Sequence, residues 1–103
     1  MTACIVGWAH SKFGKHDGVD VETLIARAAA DAMADAGVGP EDIDEIYLGH
    51  FNGGFVRQEF TSSLVLQASD KLRFKPTTRV ENACATGSAA IRQGLTAIDA
   101  KRA

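Results

Sequence analysis

Only two cysteines, two prolines, one tryptophan and one tyrosine occur in 103 residues, and the charge balance is nearly even, with 11 Lys and Arg against 13 Asp and Glu. Each scarcity excludes something. Cys4 and Cys84 stand at opposite ends of the sequence, which matches neither a zinc-ligand spacing nor the dense disulfide framework of a small secreted domain, so both are expected as free thiols. Three histidines without a shared ligand spacing predict no metal site. A net charge of −2 with scattered Lys and Arg supplies no basic field for a nucleic acid. The opening "MTACIVGWAHSKFG" has only a short apolar run and no basic stretch ahead of it. Neither a signal peptide nor a membrane span is expected, and the chain reads as cytoplasmic.

What remains is ordinary globular composition, 46% hydrophobic and 23% charged. At this length the chain is one small domain, short for an enzyme that must enclose a large substrate. There are no repeats or low-complexity segments.

The apolar pattern alternates between two kinds of element. "CIVGWA", residues 4–9, is a short apolar run that suits a strand covered on both faces. Asp20 stands where an N-cap belongs, with Glu22 in the following turn. From there Val21, Leu24, Ile25, Ala28, Ala29, Ala32, Met33 and Ala36 step by three and four, which predicts a helix ending near Ala36 with Gly37 as its left-handed cap. Gly39-Pro40 prevents its resumption. "EIYLGHF", residues 45–51, predicts a second strand, broken by Asn52-Gly53-Gly54. Val56, Phe60, Leu64, Ala68 and Leu72 recur every four residues and predict a second helix over 56–72. Pro76 ends it, and "TTRVEN" has the β-branched content of a third strand. From Ala85 onward Ser88, Ile91, Leu95 and Ile98 form one helical stripe.

Strand, helix, strand, helix, strand, helix predicts an α/β fold with a parallel sheet and right-handed crossovers. Three parallel strands alone would leave both edges and one face bare, so the chain reads as the first part of something larger.

The stretch "VENACATGSAAI", residues 80–91, carries the chemistry. Cys84 falls between the carboxyl end of a strand and the start of a helix, where open α/β sheets place their ligands and where free amides and the helix dipole favour a thiolate. Small neighbours, Ala83, Ala85, Thr86, Gly87 and Ser88, would let a substrate approach. The same residues would equally permit tight helix packing around a buried cysteine, and the residues alone leave both readings open. A cysteine nucleophile needs a base and oxyanion donors. The Cys84 N–H could be one donor; His10 and His50 each follow a predicted strand, and His16 lies in a polar loop. Cys4, Trp8 and Phe13 read as packing groups, and "NGG" at 52–54 as a turn, since no Gly-Lys-Ser/Thr follows.

"VENACATGSAAIRQG" resembles the nucleophile segment of the thiolase superfamily. "IVGWAHSKFGK" is similar to the opening strand of the thiolases associated with sterol carrier protein and of their acetyl-CoA acetyltransferase relatives, and "LIARAAADAMADAGVGPEDIDEIYLGHF" to their first helix and second strand. The resemblance spans residues 1–103 and implies the βαβαβα beginning of the thiolase fold, an incomplete N-terminal half. It further implies that Cys84 attacks an acyl-CoA thioester, with its backbone N–H in an oxyanion hole. Coenzyme A thioesters are then substrates, no cofactor is held, and condensation or thiolysis of 3-oxoacyl-CoA is the reaction. Thiolases carry a second half supplying the activating histidine, and its Gly-His-Pro, Cys-Gly and Asn-Glu motifs are not found here, so the 103-residue chain alone is expected to be inactive. The resemblance also implies a homo-oligomer, dimer or tetramer, or a second subunit contributing the other half. Two alternatives stay open: a 3-oxoacyl synthase relative, and a non-catalytic thiolase-like assembly subunit.

Overall fold

The computed structural model describes residues 2–51, 54, 57 and 59–103. The first helix, α1, runs Val21–Ala36, for the reasons its sequence announces. Asp20 is extended (φ −87°, ψ 171°) and its Oδ1 accepts the Thr23 N–H at 2.8 Å, satisfying one of the amides that a helix leaves unpaired at its start. At the other end Gly37 takes φ 69°, and the N–H groups of Gly37 and Val38 bond back to Ala34 and Met33 at 3.1 Å. That is the reversed-handed closure that glycine makes cheaply. Along α1 the predicted apolar stripe is half-buried while Arg27, Asp31 and Asp35 are exposed.

A short 3-10 turn at Pro40–Asp42 leads to strand β1, Ile46–Gly49, and strand β2 follows at Thr77–Val80. The two pair in parallel, Ile46 opposite Thr77 and Gly49 opposite Val80, so the parallel α/β arrangement predicted from the alternation of elements is present. The bonding continues past the strand ends, where the His50 N–H donates to Val80 O at 3.1 Å. The second α-helix, α2, spans Thr86–Asp99 and packs on β1 and β2.

Three expectations are corrected. Residues 4–9 form no strand. The Trp8 N–H donates to Asp35 Oδ2 at 3.0 Å, and a Cβ on Gly7 would lie 2.6 Å from Ala36, so this run is drawn onto the end of α1. Across a cavity of about 770 Å³ it faces Ile46, Tyr47 and Leu48 without pairing to them. Cys4, Trp8 and Phe13, read as packing groups, are consequently exposed.

The second helix is not α-helical. Residues Thr61–Ala68 and Asp70–Leu72 form two 3-10 segments divided by extended Ser69, whose Oγ accepts the Lys71 N–H at 3.2 Å. Serine and threonine side chains compete for backbone partners, and at three residues per turn a spacing of four no longer makes one face. Hence Phe60 is exposed, while Thr61, Ser62, Val65 and Leu72 are buried. Val56, Asn52 and Gly53 lie outside the described residues.

On α2, the stripe of Ser88, Ile91, Leu95 and Ile98 is not the packed face. Thr86 and Ala97 are buried, whereas Ile91 and Leu95 are exposed. Small side chains let the helix approach β1 so closely that a Cβ on Gly49 would stand 2.7 Å from Thr86 Cγ2, and that contact fixes which face turns inward. Among the described residues the buried hydrophobic core is correspondingly small, Val65, Leu72 and Ala97, with the 3-10 segment Thr61–Ala68 packed between α1 and the two strands.

Candidate active site

β2 delivers the chain to a 3-10 turn at Ala83–Ala85, and Cys84 is its middle residue, immediately ahead of α2. The thiol is free and exposed. Cys84 is thus not buried in this structure, and Ala83, Ala85, Gly87 and Ser88 around it are exposed as well.

The turn is tightly bonded. Asn82 N–H donates to Thr86 Oγ1 at 2.9 Å, Ala83 N–H to Glu81 Oε2 at 2.5 Å, Ala85 N–H to Asn82 O at 2.9 Å, and Thr86 N–H to Ala83 O. The Thr86 hydroxyl in turn donates to Ala83 O at 2.6 Å. Among the described residues the Cys84 N–H alone within this run has no hydrogen-bond partner. An amide left free beside an exposed sulfur is what a developing oxyanion requires.

Ala83 holds φ at 45°, the left-handed region, at a cost of about 1–2 kcal/mol for a residue with a Cβ. The Glu81 carboxylate and Thr86 hydroxyl bonds on either side of Ala83 offset that cost. Backbone strain held in place by surrounding hydrogen bonds recurs at functional turns.

The histidines separate into two places. His50 follows β1 at the sheet end from which the Cys84 turn also departs; its carbonyl accepts Arg79 Nε at 2.9 Å, and its Nδ1 is buried with no hydrogen-bond partner among the described residues. His10 and His16 instead share a pocket of about 210 Å³ against α1 with Lys12, Arg27 and Asp31, and Cys84 is not part of it. There His16 Nε2 lies 2.6 Å from Lys12 O, and His10 stands edge-on to Phe13. Among the described residues no group of three His, Cys, Asp or Glu could hold a metal ion, and no helix is long and apolar enough to cross a membrane.

Sequence reasoning passed over Glu81 and treated Thr86 only as small. The signal was present in the spacing: a threonine four residues after Asn82 and three after Ala83 places a hydroxyl within reach of both backbone groups.

Comparison with known proteins shows which family the chain is similar to. Residues 3–103 match the family described as thiolase, N-terminal domain. An acetyl-CoA acetyltransferase of Methanothermobacter thermautotrophicus is 39% identical over 95 residues, covering 91% of this chain and 24% of its own. Another acetyl-CoA acetyltransferase, from Methanocaldococcus jannaschii, is 41% identical over 92 residues, covering 88% and 23%. The chain thus spans about a quarter of the length of these curated relatives.

Proposed function

The chain belongs to the thiolase family, matching its N-terminal domain over nearly its whole length, and from that premise we propose that it carries the acyl-accepting nucleophile of an acyl-CoA acyltransferase, Cys84. The observation that carries the proposal is the turn itself, a free exposed thiol beside the one unbonded amide of residues 82–86. The names of the archaeal relatives support acetyl-CoA as acyl donor.

In the proposed reaction the Cys84 thiolate adds to the thioester carbonyl and the Cys84 N–H donates to the resulting oxyanion. Collapse expels the coenzyme A thiolate and leaves the acyl group on Sγ as a new thioester. A second nucleophile then takes the acyl group. The enolate of another acyl-CoA gives 3-oxoacyl-CoA and frees Sγ; in the opposite direction the Cys84 thiolate adds to the 3-oxo carbonyl, the enolate of an acyl-CoA leaves and is protonated, and a coenzyme A thiol takes the acyl group from Sγ.

One donor and a thiol do not complete this machinery. The base and further oxyanion donors belong to the remaining three quarters of a thiolase or to a second subunit, and they supply orders of magnitude in rate. The 103 residues alone therefore turn over little or nothing. We further propose that the working assembly is a homo-oligomer in the cytoplasm, where two free, exposed cysteines stay reduced.

The test is acylation. Incubated with acetyl-CoA, the full-length protein acquires an acetyl group on the peptide containing Cys84, seen by mass spectrometry and removed by hydroxylamine. Cys84→Ser abolishes it and Cys4→Ser does not. Absence of the adduct in the wild type, with Cys84 alkylated by iodoacetamide no faster than Cys4, overturns the proposal in favour of a non-catalytic assembly subunit.

A further inference from the structure

We infer that Thr86 is a positioning residue for Cys84, its hydroxyl closing the nucleophile turn into a fixed ring; the inference rests on the reading of Cys84 as nucleophile. Thr86 is the first residue of α2 and is 7% exposed. Its Oγ1 accepts the Asn82 N–H at 2.9 Å and donates to Ala83 O at 2.6 Å. One side chain thereby satisfies both a donor and an acceptor of the segment that leads into Cys84.

The two bonds have a directional consequence. With the Asn82 amide and the Ala83 carbonyl both taken, Ala83 is kept in its left-handed conformation (φ 45°), and the next amide, that of Cys84, is the one turned away from these partners. Without the hydroxyl, Ala83 can relax to the ordinary negative-φ region that an alanine prefers, and the Cys84 amide and thiol rotate with it.

The methyl of Thr86 has a separate task. Cγ2 packs on Gly49 at the end of β1, so closely that a Cβ there would lie at 2.7 Å. Side-chain hydroxyl and methyl thus act on different partners, the turn and the sheet, and can be removed one at a time. Thr86→Val keeps the branched shape and deletes the hydroxyl. Thr86→Ser keeps the hydroxyl and deletes the methyl.

The experiment uses the full-length protein and two readouts, the rate of iodoacetamide alkylation at Cys84 relative to Cys4 and the rate of acetylation by acetyl-CoA. Thr86→Val should lower both Cys84 rates about tenfold, the factor corresponding to the loss of a hydrogen bond near the upper end of the usual range, with Cys4 alkylation unchanged. Thr86→Ser should restore both to within about threefold of wild type. A Thr86→Val protein as reactive as wild type overturns the inference, and so does a Thr86→Ser protein as impaired as the valine variant, since packing alone would then explain the effect. If Thr86→Val does not fold, Thr86→Ala compared with Thr86→Ser decides in its place, since both lack the methyl and serine alone keeps the hydroxyl: equal Cys84 reactivity in the two refutes the role of the hydroxyl. If wild-type Cys84 accepts no acetyl group, the acyltransferase reading falls while the alkylation ratio still decides the role of Thr86.

Discussion

Gly49→Ala is the sharpest probe of how the nucleophile turn is held against the sheet. A Cβ at position 49 would meet Thr86 Cγ2 at 2.7 Å, Thr86 O at 3.1 Å and Thr86 C at 3.3 Å. Ordinary contact begins near 3.4 Å, so the start of α2 must retreat by about 0.7 Å. Rotating the Thr86 side chain would remove only the first clash, and would break the hydroxyl's bonds to Asn82 and Ala83. Overpacking of this kind costs about 1–3 kcal/mol. Replacing glycine where φ is not left-handed returns about 0.4–1 kcal/mol through the unfolded chain, which leaves a net loss of about 1–2 kcal/mol. Urea denaturation followed by circular dichroism measures it, with Thr86→Ser as the second arm of a double-mutant cycle. Serine lacks the clashing methyl but keeps the backbone atoms at 3.1 and 3.3 Å, so it should recover part of the loss, a coupling of about 0.5–1 kcal/mol. Wild-type stability in Gly49→Ala, or strict additivity of the two changes, would refute the claim that this contact sets the helix position.

Other consequences are smaller in scope. Leu72, 1% exposed, borders a cavity of about 210 Å³ with Ala29, Met33, Ile43 and Val65; Leu72→Ala should cost about 2–3 kcal/mol, at the low end for such truncations because space already adjoins the site, and a loss under about 1 kcal/mol would contradict its place in the core. Bonding to Thr23 holds the Asp20 carboxyl below its ordinary value of 3.8. The lowered value means that the cap's contribution is complete above the ordinary carboxylate range and fades as pH falls through the lowered one; amide exchange in the first turn of α1 should quicken there relative to mid-helix, and Asp20→Ala should remove that pH dependence. Tyr47, the one tyrosine, donates to Glu45, which pushes its phenol above 10.0. Its stabilising effect is present below that value and lost as pH rises through the elevated one, and an absorbance titration of tyrosinate with a midpoint at or below 10 would refute the contact.

Elements whose signals are local are legible in the residues alone. Asp20, the three-and-four spacing of α1 and Gly37 specify a helix whose caps form from neighbours in sequence. The β-branched run at 77–80 and the apolar run at 46–49 became parallel strands for similar reasons. The run at 4–9 did not, because an extended segment has no bonds of its own and its fate rests on what its backbone meets; here it meets Asp35 and Ala36. Periodicity likewise misplaced the helical face of α2, since small residues, Thr86 and Ala97, admit a closer approach than Ile91 and Leu95 and so win the contact with the sheet.

By itself the sequence determined α1 with its caps, the two strands of the parallel sheet and the position of Cys84 at a strand-to-helix junction, all consequences of residue pattern along the chain, and its quoted segments carried the resemblance to the family that the comparison shows. Tertiary structure alone decided how that junction is held. The approach of Gly49 to Thr86 joins groups far apart in the chain, a distance that a linear pattern does not contain; the bonds of Thr86 to Asn82 and Ala83 were within reach of the local spacing, and the fold decided that they form around a left-handed Ala83 and an unbonded Cys84 amide.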